Sequence, residues 1–169
     1  MYQECFKLIE AIGPSNLEVL EISAGNVWQT LGFKSYTTAN FPEFDVCSMT
    51  LPKGFDLIIA DQVFEHLLWP YRAGKNVYSM LKPGGHLLIA TPFLIRVHDD
   101  PVDCSRWTEL GIKHLLAECG FPIDLIQTGS WGSRSCVKAN FRNWPWRGWF
   151  KSLANEPEFP VTVWALAKK

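Results

Sequence analysis

The run "FDLIIAD", residues 55–61, constrains the fold more than any other stretch of the chain. It is nearly all apolar and bounded by turn residues, which suits a parallel strand buried on both faces rather than one. A strand of that kind must be covered on each side, so the chain has to alternate strands with helices. It does so. Further strands are predicted at 17–22 ("LEVLEI"), 34–39 ("KSYTTA"), 86–91 ("HLLIAT"), 124–130 ("DLIQTGS") and 160–167 ("PVTVWALA"). Between them, residues 2–12 place Cys5, Leu8, Ile9 and Ile12 at helical spacing before Gly13-Pro14. "NVWQTLGF", 26–33, is long enough for about two helical turns. Tyr71, Val77, Tyr78 and Leu81 share one face of a helix ending before Pro83-Gly84-Gly85. A last helix over 108–121 starts at a Thr108 cap, repeats Leu110, Leu115, Leu116 and Cys119, and stops at Gly120. The pattern predicts a doubly wound α/β sheet.

Composition narrows the function. At 169 residues the chain has the length of one domain, read as 1–169. With 16 basic against 17 acidic residues it generates no overall field that would draw in nucleic acid or an anionic membrane, which points to a small-molecule substrate. No apolar run reaches the roughly 20 residues of a membrane span, and "MYQECFKLIEAIG" has acids where a signal peptide needs a basic end. The chain therefore reads as soluble and cytoplasmic, with its oligomeric state open. Five scattered cysteines without a C-x-x-C pair read as reduced thiols. One segment differs in kind: about 140–160 carries three tryptophans in six residues, and reads as an inserted flap packing its rings on the sheet.

In an open parallel sheet, ligands bind beyond the carboxyl ends of the strands. Those ends are residues 21–26, 39–41, 61–66 and 91–98. A dinucleotide loop of the G-x-G-x-x-G type needs its second glycine for backbone approach to a pyrophosphate and its third for close helix packing. Here those three positions hold Ser23, Gly25 and Trp28. Trp28 would hold the following helix off the strand, which excludes a conventional NAD site. The G-K-[ST] ending of a triphosphate-binding loop is missing as well. A cofactor without phosphates fits better.

Four stretches in series then resemble class I S-adenosylmethionine-dependent methyltransferases of the small-molecule and glycan-modifying kind. "VLEISAG" resembles the first motif, "FDLIIADQVFEHL" the fourth-strand motif, "LKPGGHLLIATP" the entry to the fifth strand, and "HDDPVDCSRWTELGIKHLLAECGF" the substrate-side segment. The resemblance implies one Rossmann-like methyltransferase sheet of seven strands, mostly parallel with an antiparallel last strand, its helices trimmed between strands 2 and 4. It also implies S-adenosyl-L-methionine as cofactor, which explains how a loop with a single glycine can suffice. The implied cofactor residues are Glu21, Ser23, Ala24, Gly25, Asn40, Ser48, Met49, Asp61 and Gln62, with Asp61 beside the methionine end. Two positions depart from the pattern: Asn40 stands where an acid usually holds the ribose, and Ser48 where a second acid reaches the adenine.

Methyl transfer is an in-line displacement at carbon, governed by positioning of the nucleophile, and a hydroxyl acceptor also needs a base titrating near neutrality. His98 and His66 fall at strand ends and are the candidate catalytic residues, with Asp99, Asp100, Asp103 and Arg106 as substrate-binding neighbours. Asp103 and Arg106 could equally form an ion pair that fixes the loop. Glu65-His66 also matches half of the E-x-x-E-H metal motif of some ubiquinone-pathway O-methyltransferases. Its first position is Gln62, an amide and a poor ligand for a hard cation, so no metal is expected. Helix N-terminal capping would explain Glu65-His66 equally well. The leading reading is methyl transfer to an oxygen or nitrogen of a small molecule or sugar. The alternative is a non-catalytic ligand- or partner-binding module on the same scaffold.

Overall fold

The protein is described here from a computed structural model over residues 1–99, 101–141 and 154–169. Its strands are β1 (Glu18–Ile22), β2 (Ser35–Ala39), β3 (Phe55–Asp61), β4 (Leu81–Pro92), β5 (Ile126–Trp131) and β6 (Thr162–Lys168). They form one sheet in the order β2-β1-β3-β4-β6-β5. The first four run parallel, and β6 lies antiparallel between β4 and β5. This is the mostly parallel sheet with an antiparallel last strand that the sequence predicts. It has six strands among the described residues where the resemblance implies seven, because residues 41–54 beyond β2 form turns rather than a strand.

The strict period of two in β3 explains why its whole length is apolar. Leu57 and Ile59 enter one core with Cys5 and Ile9 of helix α1 (Tyr2–Ala11), while Ile58 and Ala60 enter the opposite core. That second core is closed by Ala73, Val77 and Met80 of α2 (Pro70–Met80) and by Ile112, Leu115 and Leu116 of α3 (Glu109–Glu118). The Thr108 side chain accepts a hydrogen bond from the Gly111 N–H, the N-cap expected from the sequence.

Several local expectations are corrected. Residues 26–33 do not make two α-turns; only a 3-10 turn, Trp28–Leu31, forms. Trp28 is the reason. Its indole is fully buried against Phe6 and Tyr2 of α1 and fills the space an α-helix would need to reach the sheet. On α2 the buried face is Ala73, Gly74, Val77 and Met80; Tyr71 points to solvent and Leu81 already begins β4. Pro83-Gly84-Gly85 lies inside β4, where the register with β3 shifts between Phe55 and Leu57. Leu110 is exposed and Ile112 takes its place in the core. The strand expected from Asp124 starts at Ile126 after a 3-10 turn, and a short helix, α4 (Arg134–Asn140), precedes the Trp-rich segment. The Trp-rich flap itself, with Trp144, Trp146 and Trp149, lies outside the described residues. Where the chain returns, Asn155 accepts from the Gly132 N–H at 2.9 Å and Glu156 pairs with Arg134. No described helix is long and apolar enough to cross a membrane.

Candidate active site

Strand register brings the predicted residues to one rim. Ile22 lies beside Ala39 and Asp61 beside Ala90, so the chain leaves β1, β2 and β3 at a common edge of the sheet. At two of these exits the backbone turns through a left-handed residue that is not glycine, Ser23 (φ 55°) and Gln62 (φ 56°). Both bends are held in the same way: Ser23 N–H donates to the Ala39 carbonyl, and Gln62 N–H to that of Ala90, each at 2.9 Å. The matched turns open a cavity of about 630 Å³ lined by Ser23, Phe41, Asp45, Gln62, His66 and Trp69, among others. That size and the sparse polar lining suit a ligand of nucleoside dimensions.

The loop after β1 is anchored from beneath. Glu21 is buried, and its carboxylate accepts from the Gly25 N–H at 3.2 Å and from the Tyr36 hydroxyl. Burial raises its pKa, and those two donors pull it partly back. Asn40 Oδ1 accepts from the Ala24 N–H at 2.8 Å, so the end of β2 clamps the same loop. A Cβ built on Gly25 meets nothing within 4 Å. The loop's single glycine therefore faces open space, as an adenosyl-bearing ligand passing over it would require.

The remaining predicted cofactor residues divide. Asp61 turns away from the cavity: its Oδ2 accepts from Trp28 Nε1 at 3.2 Å, and its other oxygen is buried with no hydrogen-bond partner among the described residues. Burial raises the Asp61 pKa. The Tyr2 hydroxyl beside it is pushed up to about 12 by burial and by the Asp61 charge. Ser48 and Met49 are exposed and off the cavity wall. Asp45 takes the wall position, its carboxylate receiving the Cys47 N–H at 2.8 Å and the Ser48 hydroxyl at 2.9 Å. "DVCS" carries the Asx-turn signal that would have singled out Asp45. Phe41, Val63 and Trp69 on the wall gave no comparable signal.

The substrate-side residues come together. His66 and His98 meet edge to face with ring centroids 5.1 Å apart. His66 Nδ1 lies 2.5 Å from the Val102 carbonyl, and His98 Nδ1 3.0 Å from Asp103 Oδ2. Asp103 is engaged with the Arg106 guanidinium as well, which holds its pKa far below the carboxylate range. Asp103 and Arg106 form an ion pair across the loop. Asp99 is exposed on the same loop, and Asp100 lies outside the described residues. Glu65-His66 sits in a 3-10 turn, Phe64–His66, rather than at an α-helix N-terminus, so capping does not account for it. Glu65 is completely buried, neither carboxylate oxygen has a hydrogen-bond partner among the other described residues, and burial pushes its pKa up to about 8.

A family model described as a methyltransferase domain matches residues 6–89. The chain carries a class I S-adenosylmethionine-dependent methyltransferase domain. Its cofactor is S-adenosylmethionine. Among solved structures, a methyltransferase from Mesorhizobium loti shares 15% identity and a TM-score of 0.63, covering 96% of each chain. One from Archaeoglobus fulgidus shares 13% identity and a TM-score of 0.61, covering 100% of this chain and 95% of the other. The phosphoethanolamine N-methyltransferase 2 of Haemonchus contortus, solved with S-adenosylmethionine, shares 13% identity and a TM-score of 0.63 over 99% of this chain and 52% of its own. No curated protein matches the chain.

Proposed function

We propose that the domain transfers the methyl group of S-adenosylmethionine to an oxygen or nitrogen of a small molecule. The observation that carries this reading is the cavity lined by the Ser23 and Gln62 bends and by His66. S-adenosylmethionine supplies the activated methyl group. The chain's own residues do the rest. Asn40 and Glu21 hold the loop that would floor the cofactor, and Asp45 on the cavity wall would accept from its adenine amine. His66 and His98 flank the place of the acceptor and are the residues through which its proton leaves, with Asp103 setting the tautomer of His98. Because displacement at carbon depends on alignment, the apolar wall of Phe41, Val63 and Trp69 serves to exclude water and orient an acceptor with an apolar body.

Calorimetry with S-adenosylhomocysteine tests the reading. Saturable heat in the micromolar range is the expected result. Silence at millimolar ligand would remove it and leave a non-catalytic binding module on this scaffold. Once binding is established, His98→Ala is expected to lower turnover while leaving cofactor affinity within about twofold.

A further inference from the structure

Beside the cofactor cavity the chain assembles three groups from two separate segments. Glu65 and His66 come from the turn after β3, and His98 from the loop after β4. One donor atom from each lies within 4.8 Å of the other two, and His66 Nε2 stands 3.7 Å from Glu65 Oε1. Small side-chain rotations would bring all three onto a common point. Gln62 occupies the first place of the E-x-x-E-H pattern and is a poor ligand for a hard cation. The fold supplies a ligand that this pattern does not contain, His98.

The surroundings are those of a ligand set. A metal-binding histidine characteristically donates its second ring N–H to a carbonyl or a carboxylate, which fixes the tautomer and directs the lone pair at the ion. His66 has the Val102 carbonyl at Nδ1, and His98 has the Asp103 carboxylate there. Arg106 Nη2 also approaches His98 Nδ1, at 3.4 Å, yet the carboxylate is nearer and already binds that guanidinium. Both imidazoles thus carry Nδ1–H and a lone pair on Nε2. The segment that provides these acceptors is tied to the ligand turn, since Cys104 N–H and Ser105 N–H both donate to the Glu65 main-chain carbonyl, at 2.7 and 3.2 Å. Glu65 points the same way. A wholly buried carboxylate with neither oxygen bonded to another described residue is costly, and a cation between it and two imidazoles removes that cost.

We propose that Glu65, His66 and His98 bind one divalent first-row transition ion, with Zn2+ as its representative. Two imidazoles and one carboxylate suit Zn2+, Fe2+ or Mn2+ better than the all-oxygen preference of Mg2+ and Ca2+. Three protein ligands would leave a coordination position, and one of them, His66, lines the cavity. There it would take an acceptor hydroxyl and lower its pKa, so that with the ion bound the hydroxyl proton would leave to water and the two imidazoles would serve as ligands in place of bases; that consequence rests on the methyl-transfer reading, whereas the binding of the ion does not.

The test is calorimetric titration of chelator-stripped, chelator-free protein with ZnCl2, with Co2+ absorption as a report on ligand type. One equivalent is expected to bind at micromolar affinity or tighter, with a Co2+ spectrum free of thiolate charge transfer. Glu65→Gln and His98→Gln should each weaken Zn2+ binding at least about tenfold, Asp103→Asn should weaken it about tenfold through His98, and Cys104→Ser should leave it unchanged. Zn2+ should also raise the Tm of the unaltered protein, which reports binding to the folded chain without any variant. Absence of a saturable site, or equal affinity in the Glu65→Gln and His98→Gln proteins, would overturn the proposal. S-adenosylhomocysteine titrated into the same samples separates the two claims: its failure to bind removes the methyl-transfer reading and leaves the Zn2+ result to stand or fall alone.

Discussion

The side-chain oxygen of Asn40 accepts the backbone N–H of Ala24 at 2.8 Å, so the residue ending β2 positions the loop that follows β1. An amide here uses its oxygen on the protein and keeps only N–H donors for a ligand hydroxyl. A carboxylate would keep the bond to Ala24 and present a second acceptor. Asn40→Asp is therefore expected to tighten S-adenosylhomocysteine binding by roughly fivefold, the gain of a charge-assisted over a neutral hydrogen bond. Calorimetry checks this, and an unchanged dissociation constant would show that residue 40 serves the loop alone.

Gly25 tests the loop that continues from Ser23, which lines the cavity. Its backbone is not left-handed and a Cβ there touches no protein atom, so neither conformation nor packing demands glycine. Gly25→Val should leave the Tm within about 2 °C. It should weaken S-adenosylhomocysteine at least about tenfold, because the branched side chain stands where the ligand passes. Unaltered binding would place the cofactor elsewhere.

How far the sequence reached depended on whether a feature was local. The alternation of Leu57 and Ile59 against Ile58 and Ala60 made β3 legible, because apolarity on both faces has few other solutions. The exit residues Ser23 and Gln62 followed from strand ends. What the chain hid was long-range: that Trp28 would be swallowed by α1, that Asp61 would turn toward it, and that His98 would meet His66 from 32 residues away. None of those pairings has a spacing rule. Asp45, three residues before the family position held by Ser48, is legible only from its own Asx turn.

Trp28 can be weighed directly. It is fully buried, contacts Phe6 and Tyr2 at centroid distances of 5.2 and 5.5 Å, and donates to Asp61. Trp28→Ala should cost about 3–5 kcal/mol in urea unfolding, since it opens a large cavity and strips Asp61 of a donor. A loss below about 1 kcal/mol would mean that α1 and the 3-10 turn collapse into the gap.

The junction of α2 and α3 is fixed by a glycine. A Cβ on Gly74 would collide with Cys119 Sγ and come within 3.2 Å of its Cβ. Gly74→Ala should destabilise the protein by about 1–3 kcal/mol through overpacking, despite the better helix propensity of alanine. Adding Cys119→Ala removes the sulfur, so the double variant should recover part of that loss. The double-mutant cycle in chemical denaturation measures this, and strict additivity would refute direct contact.

Acid stability should depend on one cluster at the opposite edge of the sheet. Lys82 Nζ lies 2.9 Å from Asp56 Oδ2 and 3.0 Å from Glu18 Oε2, and the Glu18 N–H donates to the same Asp56 oxygen. The bond from Lys82 holds the Glu18 pKa below its ordinary value, with Lys53 and Lys82 charges adding to it. For Asp56, burial pushes upward but is outweighed by the Glu18 N–H and Lys82. Carboxylates with depressed folded-state pKa values contribute stability in full above the ordinary carboxylate range, from about pH 5 upward. That contribution disappears as pH falls through the depressed values, because the unfolded chain binds protons first. Lys82→Met should therefore flatten the fall in stability below about pH 5 while leaving the cavity untouched. Unfolding midpoints measured across that pH range decide the point: parallel curves for the two proteins would mean that the ion cluster contributes nothing to the acid limb.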